Sequence, residues 1–214
     1  MDASHWPPFG LILRTPRLEL RAVTDADMPA FVETARDIHG DEPFPFQSTW
    51  SHLEDPEFTE GFLKFHWRTR VESTPDSWHI PFGVWVDGEA AGLQSVSGKD
   101  FAKQRVVDTG SWLGRRFQRR GFGTEMRAAV LHLAFDGLGA LEAHSGARLS
   151  NVGSLGVSRR LGYELNGLRR TSFGDDIDVE QMLRLTVEDW RSTRRDDITI
   201  DGLDGCRRFF GIDG

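Results

Sequence analysis

The residues with the clearest chemical signature form a short, basic segment with two glycines near the middle of the chain. It follows a predicted strand over 106–113 and leads into a predicted helix that starts near residue 121. N–H groups in the first turn of a helix have no partner within the helix, and glycines let a large anion approach the backbone closely. The members of the segment are Gln118, Arg119, Arg120, Gly121, Phe122, Gly123 and Thr124. The sequence therefore predicts a phosphate-binding site here.

A nucleotide-binding turn is the alternative interpretation of this segment. Neither common motif is complete, because the chain has no GxxxxGK[ST] here and the local pattern is not GxGxxG followed by a suitably placed acid. A single Gly-x-Gly is weak evidence, so the identity of the anion depends on other parts of the chain.

The composition of the whole chain bounds the function classes. The chain has 214 residues and a formal net charge of -7 at pH 7, and this length predicts one domain with a substantial core. The negative charge argues against nucleic-acid binding, which needs a basic surface. No stretch approaches the apolar length of a membrane span, so no membrane partner is expected.

Cysteine and histidine usage narrows the chemistry further. Cys206 is the only cysteine, so no internal disulfide can form, and a cytoplasmic location is expected. The histidines lack the spacing of metal ligands, so no metal site is expected. Those considered are His39, His66, His79, His132 and His144.

Hydrophobic periodicity, glycines and prolines divide the chain into alternating strands and helices. The predicted elements are a strand over 11–23, a helix over 24–40, an apolar loop over 41–56, a helix over 56–71, a hairpin around Asp87-Gly88, a strand over 106–113, a helix over 121–138, a strand over 140–144, a helix over 150–161 and two closing strands over 163–168 and 177–185. The predicted organisation is an irregular lead-in over 1–10, one domain over 11–190, and a tail or docking arm over 191–214.

Four motifs in order resemble one family. Gln118-x-x-Gly121-x-Gly123 is similar to [QR]-x-x-G-x-[GA], the acetyl-CoA pyrophosphate motif of the GNAT superfamily of N-acyltransferases. The stretch 13–22 resembles the opening strand of its Rim-type branch, the ribosomal-protein N-terminal acetyltransferases. Asn151-x-x-Ser154 followed by Leu161-Gly162-Tyr163, and the ending over 185–190, are similar to further segments of that branch. The resemblance covers about 11–190.

The resemblance implies an α/β (α+β) fold with a mixed, mostly antiparallel central sheet flanked by helices. Two central strands would be splayed apart to receive the pantetheine arm of acetyl-CoA. Main-chain N–H groups from Gln118 to Thr124 would hold the pyrophosphate, Leu113 would pair with the pantetheine and thioester, and Asn151 would bond the pantetheine amide region. No metal is implied.

The resemblance also suggests the proton-transfer groups. Ser154 falls where the Rim-type branch places a hydroxyl that protonates the departing thiolate, and Tyr163 lies near the position that other GNAT enzymes use. The alternative for Ser154 is a local backbone hydrogen bond in the first turn of a helix. Asp108 stands where Rim-type sequences have a glutamate in E-x-G-x-W and could act as a general base, directly or through water. Its alternative role is to attract a cationic substrate.

The acceptor is expected to be a primary amine. Deprotonating a lysine amine with a pKa of about 10.4 at pH 7 costs about 4.6 kcal/mol, whereas an α-amine with a pKa of about 7.7 costs about 1 kcal/mol. A protein N-terminus, a lysine and a small cationic amine all stay open. Ser111 replaces an aromatic residue of the family and could widen the acceptor side. Aromatic candidates to enclose the protonated amine are Phe44, Phe46, Trp50, Phe62 and Trp67, with the acids Glu42, Glu54 and Asp55 nearby.

Two other function classes fit the same sequence. One is a non-catalytic acyl-CoA-binding sensor or regulatory protein, because the motif Gln118-x-x-Gly121-x-Gly123 predicts binding without proving turnover. The other is an interaction protein whose tail makes an oligomer, and a homodimer is compatible with either enzyme or sensor.

Overall fold

A single sheet organises the chain. The computed structural model describes residues 2–38, 49–173 and 176–212, and within these the sheet has nine strands. The strands are β1 Ile12–Arg14, β2 Glu19–Ala22, β3 Ser77–Val86, β4 Glu89–Lys99, β5 Val106–Leu113, β6 Glu142–Arg148, β7 Glu164–Phe173, β8 Asp176–Thr186 and β9 Thr199–Asp201. Their spatial order is β7-β8-β6-β5-β4-β3-β2-β1-β9.

Every described pair of neighbouring strands is antiparallel except β5 and β6, which run parallel. A parallel pair needs a crossover connection, and a helix that begins just after β5 supplies it. The predicted mixed, mostly antiparallel sheet is therefore confirmed.

Helices cover both faces of the sheet. They are α1 Met28–Arg36, α2 Glu57–Glu72, α3 Phe101–Gln104, α4 Phe122–His132, α5 Val152–Arg160 and α6 Val187–Trp190. One face packs α1 and α2 against apolar side chains that include Leu93 and Trp112. The other face packs α4 against a larger core that includes Val107 and Leu113. Since side chains alternate along β5, consecutive residues of this strand face different cores.

The region predicted as one strand over 11–23 is two strands joined by a tight turn. Pro16 has no N–H to donate, and the hydroxyl of Thr15 accepts a hydrogen bond from the N–H of Leu18 at 3.0 Å. The turn lets β1 and β2 pair antiparallel, with Ile12 opposite Arg21. Alternation of apolar and polar residues continues through the turn, so the pattern alone did not reveal it.

The segment after α6 packs onto the far edge of the sheet. β9 pairs with β1, and the ring of the fully buried Phe210 lies 4.8 Å from the ring of Trp78. Cys206 is buried here, and burial raises the pKa of its thiol to about 11. The thiol is therefore protonated at neutral pH, which makes it unreactive. In the described part of the chain, no helix is both long and apolar enough to cross a bilayer.

His66 on α2 supplies the first testable prediction. Its side chain is buried, and desolvation lowers its pKa from 6.5 to about 4. As the pH falls from 6.5 towards 4, the unfolded chain binds a proton that the folded chain excludes, so acid favours unfolding. We expect the free energy of unfolding to fall by up to about 3 kcal/mol from this group over that window, measured by urea titration at several pH values.

His66→Leu should reduce this pH slope, because the side chain that must stay neutral is gone. His5→Leu, at an exposed position, serves as the control and should leave the slope as in the parent chain. An unchanged slope in His66→Leu would contradict the assignment.

Candidate active site

The centre of the sheet opens where β5 and β6 part. The two strands pair at Val106, Val107 and Asp108 on β5, opposite Glu142, Ala143 and His144. Beyond these pairs β5 runs on to Leu113 and β6 to Arg148 with no described pairing between them. We call the gap between 109–113 and 145–148 the fork. It is the predicted splay of two central strands.

At the open end of the fork lies a set of main-chain donors. Gly121, with φ at 85°, is the residue before α4, and Arg119 also has a positive φ of 59°. Within the described residues, the N–H groups of 119–123 have no hydrogen-bond acceptor. We call these five N–H groups the cradle. The first-turn amides of α4 and the helix dipole favour an anion at this position.

The two ends of the predicted segment are used within the protein. The N–H of Gln118 bonds the carbonyl of Arg115 at 3.1 Å, and that of Thr124 bonds the carbonyl of Gly121 at 3.1 Å. The side-chain Nε2 of Gln118 donates to the carbonyls of Ile38 at 2.6 Å and Leu113 at 2.9 Å. Gln118 therefore positions the cradle relative to the end of β5.

Positive side chains border the cradle. Arg119 and Arg120 are exposed and form no ion pair with a carboxylate in the part of the chain that is described. The guanidinium of Arg120 lies 4.9 Å from the ring centre of the buried Phe122. By contrast, Arg115 and Arg116 are paired with Asp37 and Glu89, each at 3.0 Å. Arg119 and Arg120 therefore carry positive charge that no described carboxylate neutralises, whereas Arg115 and Arg116 do not.

A buried carboxylate fixes the start of α4. Glu125 is 3% exposed, and its oxygens accept from the Thr15 hydroxyl at 2.5 Å and from the Arg17 Nε at 2.7 Å. Arg17 also donates to the carbonyl of Arg120 at 3.1 Å and covers the ring of Phe122 at 4.6 Å. The turn between β1 and β2 thus braces the cradle.

α5 closes the same side of the fork. A Cβ on Gly123 would lie 3.4 Å from Val157 Cγ2, so a small residue here keeps α4 and α5 close. Asn151 caps α5, its Oδ1 accepting from the N–H of Ser154 at 3.0 Å. The hydroxyl of Ser154 is half-buried and has no hydrogen bond within the described residues, so the local backbone bond considered for it is absent there.

Polar side chains line the fork on the α4 face. The hydroxyls of Thr109 and Tyr163 are 3.4 Å apart, and Thr109 also donates to the carbonyl of His144 at 3.1 Å. Burial raises the pKa of Tyr163, with the positive charge of Arg127 acting in the opposite direction. Arg127 on α4 donates to the hydroxyls of Ser145 and Ser111, each at 3.1 Å. These residues form a buried polar cluster.

Ser111 therefore faces away from the predicted acceptor side. It lies on the same face of β5 as Val107 and Thr109, and its hydroxyl binds a side chain of α4. Gln94, opposite Ser111 on β4, is fully buried, and its Oε1 has no donor in the described structure. Ser111, which replaces an aromatic residue of the family, therefore adds a polar group on the α4 face of β5. It does not enlarge the opposite face, where the acceptor was expected.

Asp108 lies on the opposite face. It is exposed, and its carboxylate has no hydrogen-bond or ion-pair partner among the described residues. Trp112 shares this face, and the rings of Trp50 and Phe62 lie 6.2 and 6.3 Å from it. The aromatic side chains and the candidate base are therefore on one side of the sheet.

The other predicted acceptor residues are dispersed or undescribed. Trp67 is an exposed residue of α2 and has no ring contact with Trp112 among the described residues. Asp55 is bound to Arg36 and Thr59. Phe44, Phe46 and Glu42 lie outside the described residues. No group of potential metal ligands was found in the described ranges.

Comparison with known proteins decides the family. The sequence profile described as "Acetyltransferase (GNAT) domain" matches residues 17–164, more than half of the chain. The chain belongs to the GNAT acetyltransferase family. The resemblance drawn from the four motifs is thereby confirmed, and so is the class of enzyme, a GNAT-type N-acetyltransferase.

Solved structures of GNAT acetyltransferases share this fold. Mycobacterium smegmatis RimJ, in complex with CoA-disulfide, is 19% identical with a TM-score of 0.71, and the match covers 94% of each chain. RimL, a ribosomal L7/L12 alpha-N-protein acetyltransferase in complex with coenzyme A, is 19% identical with a TM-score of 0.66, covering 82% of this chain and 97% of RimL. A GNAT acetyltransferase from Brucella melitensis is 18% identical with a TM-score of 0.69, covering 84% and 80%.

Two functional positions escaped the sequence analysis. Glu125 and Arg127 are charged residues inside the apolar stripe of a predicted helix, and that placement was the available signal. Both residues are sequence neighbours of the buried Met126 and Ala128. Hydrophobic periodicity cannot identify their partners, because those of Glu125 lie in the turn at 15–17 and those of Arg127 lie on β5 and β6.

Glu125→Gln tests whether the contacts of Glu125 with Thr15 and Arg17 stabilise the start of α4. The variant keeps the shape but loses the charge that Arg17 and Thr15 bind, so we expect the free energy of unfolding to fall by about 2 to 3 kcal/mol in urea titration. Glu60→Gln, which breaks the exposed pair with Lys64, is the matched control and should change it by less than about 0.5 kcal/mol. Equal losses would contradict the brace.

Proposed function

We propose that this protein transfers an acetyl group from acetyl-CoA to a primary amine by direct attack of the amine on the thioester. The observation that carries the proposal is the fork that ends on the cradle. An extended, amide-bearing chain with a pyrophosphate at one end fits that arrangement. Membership of the GNAT family supports acetyl transfer, and the proposal adds the residues and the acceptor.

Different parts of acetyl-CoA bind to different parts of the fork and the cradle. The cradle N–H groups and the side chains of Arg119 and Arg120 bind the pyrophosphate. The exposed edge of β5 near Leu113 pairs with the pantetheine amides, and Asn151 on the α5 side bonds the same region. A main-chain N–H near Leu113 meets the oxyanion that forms as the amine attacks.

Asp108 removes the proton from the attacking amine. Its exposed carboxylate has no partner among the described residues, so it can accept a proton directly or through a water molecule. It lies on the face of Trp112 and Trp50, whose rings attract a cation before it is neutralised.

Ser154 donates the proton to the departing thiolate, and Tyr163 is the alternative donor. Ser154 is supported by a half-buried hydroxyl with no described partner at the start of α5. Tyr163 is supported by a hydroxyl inside the fork and by a raised pKa that keeps it protonated at neutral pH.

The acceptor we favour is the α-amine of a protein N-terminus. An α-amine needs about 1 kcal/mol to lose its proton at pH 7, against about 4.6 kcal/mol for a lysine, so an exposed carboxylate is a sufficient base for it. RimL, which has the same fold, is a ribosomal L7/L12 alpha-N-protein acetyltransferase.

Gly121→Glu and Gly123→Glu test the donor site. Each variant places a carboxylate beside the cradle, so acetyl-CoA should raise the melting temperature of the parent chain and not that of either variant. A ligand at one hundred times its Kd stabilises by about 2.7 kcal/mol, which differential scanning fluorimetry resolves. Gly205→Glu, at an open glycine of the C-terminal segment, is the control that should respond like the parent. A normal response in both cradle variants would place the donor elsewhere.

Asp108→Ala tests the base. We expect kcat/KM to fall by about a hundredfold or more across a panel of N-terminal peptides, polyamines and aminoglycosides read by intact mass, with acetyl-CoA binding retained. Glu164→Ala removes an exposed carboxylate of β7 and should leave turnover unchanged. Full activity of Asp108→Ala would rule out Asp108 as the base. If the parent chain binds acetyl-CoA but releases no thiol with any amine of the panel, the acyl-CoA-binding sensor is favoured.

A further inference from the structure

A buried positive charge bridges the two arms of the fork. Arg127 is 2% exposed, and its guanidinium donates to Ser111 on β5 and to Ser145 on β6. Both partners are neutral hydroxyls. Within the described residues Arg127 forms no ion pair, and its Nε has no hydrogen-bond acceptor.

This arrangement leaves the guanidinium incompletely satisfied. A guanidinium has five N–H donors in a planar fork that matches a carboxylate, and a buried charge is costly unless it is paired. The hydroxyls of Ser111 and Ser145 hold the group in place without neutralising it. The helix neighbours Met126 and Ala128 are apolar and buried, and the charge of Arg127 acts on Tyr163, whose pKa it lowers against the effect of burial.

The position of this charge relates it to the donor's acyl group. Ser111 precedes Leu113 by two residues and lies on the same face of β5, and Leu113 is the residue proposed to pair with the thioester. An acyl chain directed from the thioester towards α4 would reach Ser111 first and then Arg127, which binds the hydroxyl of Ser111. A methyl group leaves the guanidinium unpaired, whereas a terminal carboxylate accepts its hydrogen bonds.

We propose that the fork accepts, in addition to acetyl-CoA, acyl-CoA donors whose acyl chain ends in a carboxylate, with Arg127 as the residue that binds this carboxylate. Succinyl-CoA is the representative of the class. The proposal rests on the proposed function, since it takes the same donor site and the same reaction.

The chemistry is the same acyl transfer. The amine nitrogen forms a bond to the thioester carbon as the carbon–sulfur bond breaks, the amine proton passes to Asp108, and the thiolate takes a proton to leave as coenzyme A. The terminal carboxylate takes no part and stays on the product. The modified amine therefore exchanges a positive charge for a negative one, where acetylation only removes the positive charge.

Donor binding is the direct test and needs no acceptor. Dissociation constants of free coenzyme A, acetyl-CoA, butyryl-CoA and succinyl-CoA are measured by calorimetry on the full chain. Butyryl-CoA is the matched control, because it has the carbon chain of succinyl-CoA without the terminal carboxylate. We expect succinyl-CoA to bind about tenfold more tightly than butyryl-CoA, as a charge-assisted hydrogen bond in a buried site would give.

Variants assign the effect to the guanidinium. Arg127→Met should abolish or reverse the preference for succinyl-CoA over butyryl-CoA, and Arg127→Lys should keep part of it because the charge remains. Arg159→Met, an exposed arginine on α5, should bind both donors as the parent does. If Arg127→Met does not fold, Arg127→Lys assigns the effect, and equal binding of succinyl-CoA and butyryl-CoA by the parent still overturns the proposal.

The outcomes separate this proposal from the one on which it rests. Equal binding of succinyl-CoA and butyryl-CoA by the parent, or a preference that survives in Arg127→Met, would overturn the role of Arg127 while leaving acetyl transfer intact. If the parent binds none of the coenzyme A compounds, the proposed function fails with it. An acyl transfer assay with the best amine acceptor should give a succinylated product by mass, and this product should decrease in Arg127→Met relative to the acetylated one.

Discussion

The structure depends on one interruption of main-chain hydrogen bonding, at the point where β5 and β6 stop pairing. A backbone N–H or C=O that lacks a partner inside a protein costs about as much as a lost hydrogen bond, so a gap in the middle of a sheet must be compensated. Side chains do this at the base of the gap. Thr109 donates to the carbonyl of His144, and Ser145 lies 3.4 Å from the carbonyl of Thr109. Farther out, the edge of β5 stays available to a ligand with amides of its own.

α4 performs several tasks that all follow from this gap. As the crossover between the two parting strands, it places its first turn at the mouth of the fork and its apolar side against the core. The first N–H groups of α4 lack hydrogen bonds within the helix, and Glu125 anchors this end by accepting hydrogen bonds from Thr15 and Arg17 in the turn at 15–17. Glu125 is only two residues beyond Gly123, the last residue of the cradle, so its negative charge has to be paired if the cradle is to hold an anion. Its charge is paired with the guanidinium of Arg17.

The sequence was sufficient for the family, the sheet and the location of the cradle, because ordered motifs and alternating hydrophobicity report local structure directly. Contacts between segments that are distant in the sequence could not be predicted in the same way. The two-strand start at β1 and β2 was missed because alternation continues through Pro16. Ser111 was expected on the acceptor side because it replaces an aromatic residue of the family, but its side chain lies on the other face of β5 and binds Arg127. Arg127 stands inside the apolar stripe of a predicted helix, but the sequence does not identify the two strands that it joins.

The side chain of Gln118 has a consequence beyond holding a turn. Its Nε2 joins the carbonyl of Leu113, at the end of the donor strand, to that of Ile38, at the end of the α1 region on the face that carries Trp112. A ligand that shifts one of these carbonyls changes the energy of the bond to the other. If donor and acceptor binding are coupled through this side chain, linkage requires the effect of the donor on acceptor affinity to equal the effect of the acceptor on donor affinity.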